Sequence, residues 1–125
     1  MSKVLLIDDS EDVLDLFEFI LSGFDFPFFL ASSTEKAFEL LENHEFSLIV
    51  SDVEMPGMSG IQFAKEVRRI QENTPVIYFT ANTLSWLKLH FSSSEFHKNT
   101  FLVPDKNIDE LLKIMGNHLG VKLGQ

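Results

Sequence analysis

Five short apolar runs, each followed by a helical repeat, restrict this chain more than any other feature of its sequence. The runs are Val4–Ile7, Phe28–Ala31, Phe46–Val50, Val76–Phe79 and Phe101–Val103. Val4–Ile7 is continuous rather than alternating, the pattern of a strand buried on both faces of a parallel sheet. After the first run, Val13, Leu14, Phe17, Ile20 and Leu21 recur at helical spacing. Ala37, Phe38, Leu40 and Leu41 follow the second run. Ile61, Ala64, Val67 and Ile70 follow the third and are expected to face inward. Residues 84–91 give a weaker helix, with Leu84, Leu87 and Phe91 on one side, broken by Ser92–Ser94. Ile108, Leu111, Leu112, Met115 and Leu119 form the cleanest stripe. Strand and helix signals in alternation imply a parallel sheet with helices on both faces. Right-handed crossovers then favour a doubly wound (βα)5 arrangement. In such sheets ligands bind beyond the carboxyl ends of the strands, where the strand order reverses.

The punctuation agrees with these elements. Gly23 lies where a C-terminal glycine would close the first helix. Ser32 with Glu35, and Ser59 with Gln62, fit capping boxes. Asn107 can cap the last helix, and Pro27 favours an edge position for the second strand.

The length of 125 residues suits one domain, here expected over 1–125. Cysteine is absent, which excludes disulfides, thiolate nucleophiles and zinc–thiolate sites. The net charge of −9 argues against nucleic-acid binding. That charge is concentrated: residues 1–60 carry 13 acids and 2 bases, whereas residues 61–125 carry 6 acids and 8 bases. The first apolar run is too short for a signal peptide, and no stretch reaches the ~18–20 apolar residues of a membrane span. The expectation is a soluble, cytoplasmic protein without membrane insertion.

Reading off the strand ends gives Asp8 and Asp9, then Asp52, then Thr80, then Val103 with Pro104. Three aspartates converge if the first and third strands are neighbours. At ~4 Å and an effective dielectric of 20, each like-charge pair costs on the order of 4 kcal/mol. Such a set relaxes by protonation or by binding a cation. Hard oxygen ligands on rigid strands favour Mg²⁺. A lone aspartate at a strand end is more often a helix cap or a solvated loop residue, but three in these places fit coincidence poorly. The four histidines, His44, His90, His97 and His118, lack metal-ligand spacing and read as surface or partly buried residues. Met55–Gly60 is a loop by its Pro and Gly content, Gly57-Met58-Ser59-Gly60 is not a P-loop, and no Gly-x-Ser-x-Gly elbow is present.

Val-Leu-Leu-Ile-Asp8-Asp9, then Leu-Ile-Val-Ser-Asp52-Val-Glu-Met55-Pro56-Gly57-Met58-Ser59-Gly60, then Val-Ile-Tyr-Phe-Thr80-Ala81, resemble the receiver domains of two-component response regulators, the chemotaxis regulators among them. The resemblance runs from about Lys3 to Leu119. It implies a flavodoxin-like sheet of order 2-1-3-4-5. It implies that Asp52 accepts a phosphoryl group from a phosphohistidine on a sensor histidine kinase or a histidine phosphotransfer protein. Asp9 then matches a direct Mg²⁺ ligand, Asp8 an acid acting through the metal's waters, and the Glu54 backbone carbonyl a further ligand, with Asp52 itself completing the set. Thr80 matches a switch hydroxyl and Ala81 the small residue beside it. Output would pass to a downstream target protein through the fourth helix, fifth strand and fifth helix. The domain would be a stand-alone signalling module of a two-component phosphorelay, assisting its own phosphorylation and dephosphorylation, not an enzyme.

Two departures stand out. The family usually carries a lysine before the proline that closes the fifth strand, and this chain has Val103. An aromatic residue usually lies three positions earlier, where this chain has Thr100, with Phe101 next to it. Three readings follow from Val103: phosphorylation of Asp52 with weaker coupling, a stand-in cation from Lys106 or Lys98, or a phosphorylation-independent adaptor. A small Mg²⁺-dependent phosphatase or phosphotransferase is a further alternative. Trp86 either anchors a partner or covers the sheet edge. Phe24, Phe26, Phe28 and Phe29 either pack beneath the first helix or expose an apolar patch.

Overall fold

The computed structural model describes residues 3–90 and 99–123. Phe91, Ser92–Ser94, His97 and Lys98 lie outside the described residues, as does the side chain of His90. Five strands, β1 (Val4–Ile7), β2 (Phe28–Ala31), β3 (Leu48–Ser51), β4 (Val76–Phe79) and β5 (Thr100–Val103), alternate with five helices. These are α1 (Glu11–Leu21), α2 (Thr34–Asn43), α3 (Gly60–Ile70), α4 (Leu84–His90) and α5 (Ile108–Leu119). All neighbouring strands pair in parallel, in the order β2-β1-β3-β4-β5. This is the flavodoxin-like arrangement, and Pro27 leads into an edge strand as expected.

Strand periodicity divides the core into two layers. Leu5, Ile7, Ile49, Val76 and Tyr78 face α2, α3 and α4, meeting Ala37, Leu41, Phe63, Val67 and Leu87. Val4, Leu6, Leu48, Val50, Ile77, Phe79 and Val103 face α1 and α5, meeting Leu14, Phe17, Leu111 and Met115. Phe24, Phe26 and Phe28 pack against the α1–α5 layer, and Phe29 against the other. Trp86 packs against the α2–α4 layer as partial cover.

Several local expectations need correction. Ile70 is 57% exposed, whereas Phe63 is fully buried. The inward stripe of α3 is Gly60, Phe63, Ala64 and Val67, and Ile70 lies off it. The cap of α2 is Ser33, not Ser32, because Ser33 is the extended residue whose hydroxyl accepts the Lys36 amide at 3.1 Å. Gly23 does not cap α1; the right-handed Ser22 does, its amide bonding the Glu18 carbonyl. The left-handed glycine cap occurs instead on α5, at Gly120 with φ +71°. Phe46 is buried but precedes β3, since its amide bonds Gln71 Oε1 and its carbonyl accepts the Thr74 hydroxyl. Ser59 caps α3 and Asn107 caps α5, as the sequence indicates.

Candidate functional site

The strand order reverses at β1: the chain passes from it outward to β2, then returns to β3 on its other side. Ile7 pairs with Ser51, so the next residues, Asp8 and Asp52, leave the sheet side by side. Backbone bonds hold both exits, Asp8 N–H to the Ala31 carbonyl and Asp52 N–H to the Ile7 carbonyl. Asp8 is buried, Asp52 half-buried and Asp9 exposed. One oxygen from each carboxylate lies within 4.8 Å of the others. The convergence inferred from the strand ends is therefore present. All-oxygen donors in one cluster, one of them open to solvent, suit a hard divalent cation that keeps several waters.

The other partners fix each carboxylate. Asp8 Oδ1 accepts the Ser10 amide at 2.9 Å, and Ser10 in turn caps α1. Asp52 Oδ1 accepts the Val53 amide at 2.7 Å. Burial is the main influence on Asp52 and holds its carboxyl above the usual carboxylate range. The positive charge of Lys106 opposes that rise, the Asp8 charge adds to it, and the Val53 and Glu54 amides lower it. The loop after Asp52 turns back through Gly57 in the left-handed region, φ +86°. Gly60 then brings α3 against Asp52: a Cβ there would stand 1.9 Å from the Asp52 carbonyl oxygen. In the sequence Gly60 is one of several Pro and Gly residues of a loop, and nothing there marks this contact.

Thr80, buried at the end of β4, accepts bonds at 3.2 Å from both the Asn82 backbone amide and its side-chain amide. Ala81 is exposed beside it. Val103 is fully buried in the α1–α5 layer. Phe79 pairs with Val103 and Val76 with Thr100, so β5 runs in register with no one-residue slip. Phe101 therefore packs on the α5 side, 4.8 Å from the His118 ring, and the position of Thr100 carries no aromatic group.

A cation nevertheless enters the site. Lys106 Nζ lies 2.6 Å from Asp8 Oδ2, 3.6 Å from Asp52 Oδ2 and 3.2 Å from the Phe79 carbonyl oxygen. It also stands over the Phe79 ring, 4.7 Å from the centroid.

Comparison with known proteins settles the family. A family model described as the response regulator receiver domain matches residues 4–115. The chain belongs to the response regulator receiver family. It is 31% identical over 81 residues to the uncharacterized transcriptional regulatory protein YrkP of Bacillus subtilis, a match covering 65% of this chain and 34% of that protein. It is 30% identical over 83 residues to the response regulator SaeR of Staphylococcus aureus, covering 66% of this chain and 36% of SaeR. The chain thus spans about a third of the length of the curated relatives it matches. Among solved structures, the chemotaxis response regulator CheY4 of Vibrio cholerae matches with TM-score 0.77 and 28% identity, over 94% of this chain and 98% of that one. TrrA of Thermotoga maritima, solved in complex with Mg²⁺-BeF, matches with TM-score 0.77 and 26% identity, over 94% and 99%.

Receiver domains are signalling domains of two-component systems that bind Mg²⁺ at an acidic pocket and interact with histidine kinases and downstream effectors. Asp8, Asp9 and Asp52 form such an acidic cluster in this receiver. Among its described residues, no helix is long and apolar enough to cross a membrane.

Proposed function

We propose that this receiver accepts a phosphoryl group on Asp52 from a phosphohistidine, on a sensor kinase or a phosphotransfer protein, and signals by protein–protein contact in the cytoplasm. The observation that carries this reading is the clustering of Asp8, Asp9 and Asp52 oxygens within 4.8 Å. Asp8, Asp9, Asp52 and the Glu54 carbonyl are the groups that would hold Mg²⁺. When bound, the metal offsets the carboxylates and neutralises charge on the phosphoryl oxygens.

Asp52 supplies the nucleophile. A lone pair of its carboxylate forms the new O–P bond as the P–N bond to the donor imidazole breaks. The released electron pair stays on the ring nitrogen. The Val53 amide orients the acceptor carboxylate, and Asp8 holds the entry to α1 through Ser10. Thr80 then acts as the switch. Its hydroxyl, now engaged with Asn82, would turn to a phosphoryl oxygen, and exposed Ala81 leaves space for the group. The receiver would promote its own phosphorylation and dephosphorylation without turning over a separate substrate. Output through α4, β5 and α5 is supported by Leu84 and Leu89 on α4, which are 45% and 83% exposed.

The test is incubation with acetyl phosphate and Mg²⁺, read by intact mass. A gain of one phosphoryl group, absent in Asp52→Asn and absent with a chelator, is expected. No gain, with Mg²⁺ binding shown by calorimetry, would leave the phosphorylation-independent adaptor as the better account.

A further inference from the structure

We infer that Lys106 is the phosphoryl-contacting cation of this receiver, acting from the loop after β5 in place of a residue at the strand end. This inference rests on Asp52 being the phosphoryl acceptor. Val103, at the strand end itself, is fully buried among Phe79, Leu111 and other apolar residues and brings no charge to the site.

Three observations distinguish Lys106 from a solvated turn lysine. Its side chain is only 26% exposed. Its ammonium has three N–H donors. One meets Asp8 Oδ2 at 2.6 Å and another the Phe79 carbonyl at 3.2 Å, which leaves one, with Asp52 Oδ2 at 3.6 Å. Its backbone path is also held in place. Asp105 and Lys106 take φ +59° and +48°, left-handed values that non-glycine residues adopt at a cost. Hydrogen bonds to the loop after β4 sustain them: Lys106 N–H to the Thr80 carbonyl at 2.7 Å, and Asp105 N–H to the Asn82 carbonyl at 3.0 Å.

The consequence is a cation bound to the acidic cluster and to the switch segment together. Transfer replaces the Asp52 carboxylate by an acyl phosphate carrying more negative charge, beside two other carboxylates. Lys106 remains an ammonium throughout and donates to a phosphoryl oxygen; no proton leaves it. Because Lys106 occupies Asp8 Oδ2, it also competes with a divalent cation for that cluster. Neutralising it has two opposite effects: the resting site gains affinity for Mg²⁺, while phosphorylation slows. A lysine with only a structural role would not produce that pair.

The experiment compares the unaltered chain with Lys106→Met and Lys106→Gln. Phosphorylation by acetyl phosphate at saturating Mg²⁺ is followed by intact mass, and Mg²⁺ affinity by calorimetry on the unphosphorylated proteins. Both variants are expected to phosphorylate about tenfold more slowly or worse, as for loss of one charge-stabilising donor, and to bind Mg²⁺ several-fold more tightly. Val103→Lys in the otherwise unaltered chain should give no gain. An unaltered chain that is phosphorylated on Asp52, with variants of equal rate, overturns the inference and leaves the acceptor reading intact. A severalfold gain in Val103→Lys overturns it too, by showing that the site lacks its cation. An unaltered chain that takes no phosphoryl group overturns the acceptor reading and this inference together.

Discussion

The two sides of the site are built in opposite ways. Asp8 and Asp52 leave adjacent parallel strands whose backbone ladders continue to the last residue, Ile7 beside Ser51. Lys106 reaches the same place from a loop with two consecutive left-handed residues, held by bonds to Thr80 and Asn82. The anionic side therefore takes its geometry from the sheet, the most buried part of the molecule. The cationic side takes its geometry from contacts between two loops. The cation is thus tied to the β4–α4 loop, and the carboxylates to the sheet. Labour is divided: the sheet sets the position of the carboxylates, and loop contacts set that of the cation.

Substitutions can break this contrast, in order of expected effect. Asp52→Asn should abolish the phosphoryl gain altogether. It should also stabilise the metal-free protein. The folded carboxyl is held above its unfolded value, so its contribution to stability is fully present only below the unfolded value and is lost as pH rises through the folded one. At neutral pH the half-buried anion is a net cost, and the amide should raise the melting point in chelator, read by thermal melting. A lower melting point for Asp52→Asn would contradict this.

Gly60→Ala tests the rigid side. The added carbon meets the Asp52 backbone rather than a movable side chain, so about 3 kcal/mol of destabilisation is expected in urea unfolding. An unchanged midpoint would show that α3 can retreat from Asp52. Asp9→Asn removes the exposed member of the cluster and should weaken Mg²⁺ about tenfold by calorimetry, with little change in unfolding. Loss of the fold instead would make Asp9 a structural residue. Asp105→Gly is the mildest. It relieves one left-handed position and should raise stability by roughly 0.5 kcal/mol, offset in part by the greater freedom of the unfolded glycine. Destabilisation would mean that the Asp105 side chain supports the loop.

These two sides also differ in how far the sequence reveals them. The five strands, their parallel order and the convergence of Asp8, Asp9 and Asp52 follow from apolar runs and strand ends, because a strand end has one place to go. Lys106 was legible only as one candidate beside Lys98. Its approach depends on two positive φ angles, and neither Asp105 nor Lys106 advertises them as glycine would. Gly60 reads in the sequence as loop composition because its contact, to the Asp52 carbonyl, is tertiary. Ile70 fits the inward spacing of the sequence, yet as the terminal residue of α3 it lies at the margin of a stripe that Phe63 dominates.

The most direct measurement of the central claim is chemical localisation of the phosphoryl group. The protein, treated with acetyl phosphate and Mg²⁺, is reduced with borohydride, which converts an aspartyl phosphate to homoserine, and its peptides are sequenced by tandem mass spectrometry. The account predicts homoserine at position 52 and at no other aspartate, with a lower yield in Lys106→Met. Homoserine at Asp8 or Asp9, or none anywhere under conditions where Mg²⁺ is bound, would contradict it.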